Sequence, residues 1–236
     1  MHFWNSFYCG RMAAPFNYQV VDLTDEEVEA ENAVFGALAD AVRRLNEATL
    51  RTTVDHDTVE AVRQQVEELT ARLEKSMIEG SFGVSFTTGG RVRGYGNAVV
   101  GLRNPLAVPL QIVQDKERGR AHADFELNAL YEGPPGQVHG GVAALVLDQV
   151  FGEAAAAGGT PGMTGTLTLR YGLNTPLGHC SAEAWVDRRD GVKTIVKGEL
   201  RRADGTVTVT AEGVFILPRW AREEMAAQGG TPPQYE

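Results

Sequence analysis

The sequence predicts an α+β fold in which an antiparallel sheet wraps around one central helix, preceded by an amino-terminal helical hairpin. Three observations carry this. Beyond Pro109 the apolar residues change from helical spacing to alternation, and strand-like segments dominate from there on. A single apolar helix interrupts them. The later strands are joined by the turn dipeptides Asp190-Gly191 and Asp204-Gly205. Strands that outnumber helices and are linked by hairpins call for an antiparallel sheet, not a doubly wound one.

In chain order, Thr24 and Glu27 have capping-box spacing, and Val28, Phe35, Leu38, Val42 and Leu45 then recur at helical intervals. Asp57 and Glu60 repeat that capping spacing ahead of Val59, Val62, Val66, Leu69 and Leu73, which predicts a second amphipathic helix. The pair reads as a hairpin whose stripes bury against the main domain or a second copy, with its charges forming a solvated face. Residues 79–104 are glycine-rich around Thr87-Thr88-Gly89-Gly90 and read as a loop-rich connector; Gly94-Tyr95-Gly96 and Gly101 lack dinucleotide-binding spacing. The expected division is 1–103 for the extension, 104–218 for the main domain and 219–236 for a tail. Within the main domain Leu110, Ile112 and Val113 open a strand, and Ala121, Ala123, Phe125 and Leu127 alternate in the next. Residues 167–169, 182–186, 194–200 and 206–215 supply four more strands after the helix. A sheet covered by one helix leaves open edges, so a homodimer is expected.

Composition narrows the function. The 236 residues are 43% apolar and 22% charged, enough to bury a core, and the net charge of −9 argues against unaided binding to nucleic acid or an anionic membrane. Two cysteines, Cys9 and Cys180, stand too far apart in too small a number for a disulfide framework or a cysteine-rich zinc site, which points to a reducing, cytoplasmic setting. Residues 1–16 do not read as a signal peptide, and the longest apolar run, 142–147, is far short of the roughly 20 residues of a membrane span.

The chemistry concentrates at Gly133-Pro134-Pro135-Gly136-Gln137-Val138-His139-Gly140-Gly141 and the helix that follows, expected to be buried all round and carrying Asp148. A buried carboxylate needs a partner, a shifted pKa or an active-site role. The first amides of the helix lack intrahelical acceptors, and glycines at 140 and 141 let a ligand oxygen approach, which would make an oxyanion hole. Eight residues separate Gly140 from Asp148, roughly 12 Å of helix. They cannot serve one small carbonyl within a chain, but two antiparallel helices across a dimer axis would pair the amides of one with the aspartate of the other. Spacing alone is equally compatible with His139 and Asp148 merely capping and hydrogen-bonding within the fold.

The run 134–148, with His139-Gly140-Gly141 and an aspartate nine residues after the histidine, resembles the hotdog-fold acyl-CoA thioesterases, nearest to the phenylacetic-acid-degradation type. The likeness covers roughly 104–218, starting at Asn104-Pro105-Leu106-Ala107-Val108-Pro109-Leu110. It implies that Gly140 donates the oxyanion-hole amide, that Asp148 is nucleophile or general base, and that His139 orients or polarises the thioester. In Met163-Thr164-Gly165-Thr166-Leu167-Thr168-Leu169-Arg170-Tyr171, the threonine seven residues before the tyrosine corresponds to a family residue that positions water, which points to Thr164, with Thr166 second. Val138, Gly141 and Gln149 flank these positions and are expected to bind substrate. Many members carry asparagine six residues before the histidine, where this chain has Gly133.

The expected activity is hydrolysis of an acyl-CoA thioester to free acid and CoA, at an interface of a homodimer or tetramer. No metal or separate cofactor is expected, CoA being part of the substrate; His2, His56, His122, His139 and His179 show no metal-ligand spacing, and Ser181 has no nucleophile-elbow context. Lys193, Lys197 and Arg201, with Arg188 and Arg189, are an ordinary solvated strand face before they are a phosphate site. Two alternatives stand beside this: a hotdog dehydratase or hydratase, and a non-catalytic acyl-CoA sensor or assembly module.

Overall fold

The computed structural model describes residues 18–108, 110–219 and 221–223. Residues 1–16, Cys9 and most of the expected tail lie outside this set. Two sheets are present. The larger contains β4 (Gln111–Asp115), β5 (Arg120–Leu127), β6 (Met163–Tyr171), β7 (Gly178–Asp190), β8 (Lys193–Arg202) and β9 (Val207–Ile216). Its order is β4-β5-β7-β8-β9-β6, antiparallel throughout. The Asp190-Gly191 and Asp204-Gly205 turns fall where expected, and Gly191 and Gly205 hold the positive φ angles, 55° and 81°, that such turns require.

Helix α3 (Gly140–Ala157) lies across this sheet. The strands beneath it are lined with small residues: Ala121 pairs with Ala184 and Ala123 with Ala182, leaving a shallow trough for the helix. Phe151, fully buried, sits over Gly198 and Gly213, where an added Cβ would run into its ring. Cys180 pairs with Phe125 in the same core, and burial pushes its thiol up to about 11, so it is an inert packing residue.

The helix is not buried all round. Ala143, Val146, Leu147, Val150, Phe151, Ala154 and Ala155 face the sheet and are sealed, but Gly141 and Leu145 are exposed and Asp148 and Gly152 only half-buried. Steps of four, three and four place 141, 145, 148 and 152 on one strip. The sheet covers one side of the cylinder, so this strip of two glycines, a leucine and an aspartate stays open. By length and composition alone α3 could cross a membrane; here its sealed side rests on the sheet.

The amino-terminal part holds β1 (Tyr18–Val21), α1 (Asp25–Arg51), α2 (His56–Leu73), β2 (Val84–Thr87) and β3 (Val92–Arg93). The Thr24–Glu27 capping box forms as expected. The second helix starts earlier than its sequence signal, on Asp55, whose carboxylate accepts from the Thr58 amide at 2.9 Å, while Glu60 instead pairs with Arg63. No residue of α2 is buried, and Val59, Val62, Leu69 and Leu73 stand in the open. The glycine-rich stretch is more than a connector: Gly89-Gly90 turns β2 back onto β3, and β1 joins β2 in parallel. Val99 and Val100 already pack on the main core, ahead of the expected boundary at 104.

The inward face of α1 also differs from the apolar stripe. Val28, Gly36 and Ala39 are buried, and of the rest of the stripe Phe35, Val42 and Leu45 are half-buried while Leu38 is 42% exposed. The polar residues Glu31, Asn32, Arg43 and Glu47 point the same way as the buried row. Glu31 pairs with Arg93 and, at 3.1 Å, with Arg103, which stacks on Phe35; Tyr95 bonds Asn32. Polar partners outside the helix, Arg93 on β3 and Tyr95 and Arg103 in the segment after it, share with the apolar residues in setting the rotation of the helix.

Candidate active site

Thr164 Oγ1 donates to Asp148 Oδ1 at 2.8 Å, joining the start of β6 to the open strip of α3. The strand makes this possible through a bulge. Thr164 pairs with Phe215 and Thr166 with Val214, so Gly165 is an extra residue between them. Regular alternation would set Thr164 and Tyr171 on opposite faces. With the bulge both join Leu167 and Leu169 on the side facing α3, and Thr166 turns away. Of the two candidate threonines, only Thr164 reaches Asp148. Among the described residues Asp148 has no ion-pair partner.

At the other end, His139 is the N-cap of α3, its Nδ1 accepting from the Gly141 amide at 3.0 Å. In that arrangement the neutral ring carries its proton on Nε2. The Gly141 amide is therefore engaged by the cap, while that of Gly140 bonds no other described group, leaving Gly140 as the amide open to a ligand. Tyr171, absent from the sequence-based set, donates to the Gly140 carbonyl at 2.8 Å. Strand β6 thus touches α3 at both chemically interesting points.

The loop before the helix is closely held. The His139 amide donates to the Tyr131 carbonyl (2.9 Å), that of Val138 to Thr175 (2.8 Å), and that of Gly136 to the Glu132 carboxylate (2.6 Å). A Cβ at Gly133 would stand 2.8 Å from His139 Cα, so this loop has no room for the asparagine common at that position. Val138 is 8% exposed and belongs to the core; its side chain supports the loop. Gln149 lies beside Asp148 on α3, accepting from Asn97 at 3.2 Å and donating to Glu153 at 3.0 Å, and Gln114 holds Glu153 in turn. Asn97 has no motif around it and is found only through the fold.

Of Arg188, Arg189, Lys193, Lys197 and Arg201 on β7 and β8, three pair with carboxylates of the same strands. Lys197 and Arg188 both meet Asp187, at 3.1 and 2.8 Å, and Arg201 pairs with Glu199.

These features belong together in a chain of known kind. A crystal structure described as that of a thioesterase superfamily protein superposes with a TM-score of 0.69 at 34% sequence identity, covering 77% of this chain and 94% of the other. The chain belongs to the thioesterase superfamily. Its sheet wrapped on α3 is the hotdog fold. The aligned share of this hotdog chain is too large to be confined to 104–218, so the likeness reaches into the amino-terminal part. Shorter matches include a Ralstonia eutropha protein described as phenylacetic acid degradation-related (27% identity, 47% of this chain, 86% of that one, TM-score 0.43). Another is the PaaI protein of the E. coli phenylacetic acid degradation operon (17%, 47%, 81%, 0.43). No family model and no curated protein matches the sequence of this thioesterase-superfamily chain.

Proposed function

We propose that the chain is an acyl-CoA thioesterase, releasing free acid and CoA at composite sites across a homodimer. The observation that carries this reading is the Thr164–Asp148 hydrogen bond on the unsealed strip of α3. A carboxylate held by one hydroxyl and open on its other side is suited to taking a proton, and the same hydroxyl has lone pairs free to accept from a water. The free amide of Gly140, at the positive end of α3, is suited to a developing oxyanion.

In the proposed reaction Asp148 accepts a proton as water adds to the thioester carbon. Negative charge gathers on the carbonyl oxygen at the partner protomer's helix start. When the C–S bond breaks, the electron pair leaves with sulfur, and the proton returns to the thiolate. Direct attack by the carboxylate, giving a mixed anhydride that water then cleaves, uses the same groups. The two-protomer arrangement follows from the roughly 12 Å of helix between residues 140 and 148. Strand β6 suits the association: it is a sheet edge, and Met163, Tyr171 and the adjacent Leu173 are 45%, 55% and 54% exposed.

The test is release of free thiol from a panel of acyl-CoAs by the wild type and by Asp148→Asn, which keeps shape and removes the base. Turnover is expected to fall at least about a hundredfold with binding kept. Equal rates would remove Asp148 from the reaction, and binding without hydrolysis of any substrate by the wild type would favour an acyl-CoA sensor.

A further inference from the structure

The inward polar residues of α1 lead directly to the start of α3. Arg43 donates to the carbonyls of Ala107 (3.2 Å, Nε) and Asn104 (3.1 Å, Nη2), and one turn later Glu47 accepts from Asn128 Nδ2 at 2.9 Å. Asn128 is the N-cap of the 3₁₀ turn Ala129–Tyr131, its Oδ1 accepting from the Leu130 amide at 3.1 Å. The turn ends at Tyr131, whose carbonyl receives the His139 amide. Tyr131 is half-buried: its burial pushes the phenol up, with the Arg43 guanidinium opposing. The path from α1 to the cap of α3 is therefore a continuous series of hydrogen bonds, Glu47 to Asn128 to Tyr131 to His139.

We infer that α1 is a brace for the oxyanion end of the site, with Glu47 as a positioning residue acting through Asn128 and Tyr131, and Arg43 fixing the helix on the 104–107 turn. The apolar stripe of α1 turns inward only in part, with Val28 buried, Phe35, Val42 and Leu45 half-buried and Leu38 in solvent, and the rest of the inner face is given to polar grips. Each grip is directional, so it specifies where the 3₁₀ turn sits, and the His139 amide follows because its acceptor does. An amide donor displaced by about 1 Å loses much of its effect on a transition state. The amino-terminal helix is then part of the catalytic apparatus without touching substrate.

The inference rests on the thioesterase reading for its kinetic arm and on the fold alone for its exchange arm. Glu47→Ala should lower kcat about tenfold with KM within twofold of wild type, while Glu47→Gln, which keeps an acceptor for Asn128, should restore most of the rate. By hydrogen–deuterium exchange, the amides of residues 136–142 should exchange several-fold faster in Glu47→Ala, with the sheet amides unchanged. This arm reads the brace even if no thioester is hydrolysed. Should Glu47→Ala not fold, Asn128→Asp keeps the cap acceptor and sets a carboxylate against Glu47, and it should show the same local acceleration. Wild-type exchange over 136–142 in the folded variant, or a rate loss that Glu47→Gln does not relieve, would overturn the inference.

Discussion

The Gly140 amide is a single donor, and the backbone at that point permits a clean test. Gly140 is the first residue of α3, and His139 before it is extended at φ −62° and ψ 133°, which suits a residue preceding proline. Gly140→Pro would therefore delete the N–H and preserve both the helix and the carbonyl that Tyr171 binds; a Cβ there meets the Tyr171 ring at 3.4 Å, ordinary contact. We expect kcat to fall about a hundredfold or more, with little change in melting temperature. Unchanged kcat would assign the oxyanion elsewhere. At this scale the sequence was informative wherever a motif surrounded the residue, as at His139, Gly140 and Asp148. It marked Tyr171 only as a motif landmark and was silent on Asn97 and Glu47, whose contacts span 52 and 81 positions and leave no local trace.

Among the elements, β5 was the most legible because one face is buried and the other wet, alternating over its full length, whereas β6 has no fully buried residue. The open strip of α3 was not legible, since apolar residues surround Asp148 on nearly every side of the helix and composition cannot tell which neighbour is missing. The bulge at Gly165 was equally hidden: an odd spacing between Thr164 and Tyr171 implies opposite faces, and only an extra residue in the pairing reverses that. In α1 apolar periodicity located only part of the inward face, because Glu31, Asn32, Arg43 and Glu47, polar side chains with partners, share it with Val28 and the half-buried Phe35, Val42 and Leu45. The seat of α3 makes its own prediction. At Gly198 an added methyl collides with the Phe151 ring and with the Glu183 carbonyl, the latter being backbone that cannot swing aside. Gly198→Ala should cost about 2–3 kcal/mol, read as a lower midpoint in urea unfolding. A change under about 0.5 kcal/mol would mean that the helix is not pressed against β8 as described.

For the whole molecule the decisive question is whether one site draws on two chains. Asp148→Asn and Gly140→Pro damage opposite ends of α3, so a heterodimer of the two would hold one doubly damaged site and one intact site. Co-refolding equal amounts should restore about a quarter of wild-type activity, since half of the dimers are mixed and each has one working site of two. If each site is built within a single chain, no mixture will exceed its parents.

Strand β6 carries the hydroxyls of Thr164 and Tyr171 and is also an unpaired margin of the sheet. On the composite reading, a solitary chain just off the ribosome is chemically silent. Thioester turnover then grows with the square of protein abundance while chains are scarce, and becomes proportional to it only when encounters are frequent. The level of expression would act as a threshold, requiring no inhibitor to keep stray copies from consuming activated acids.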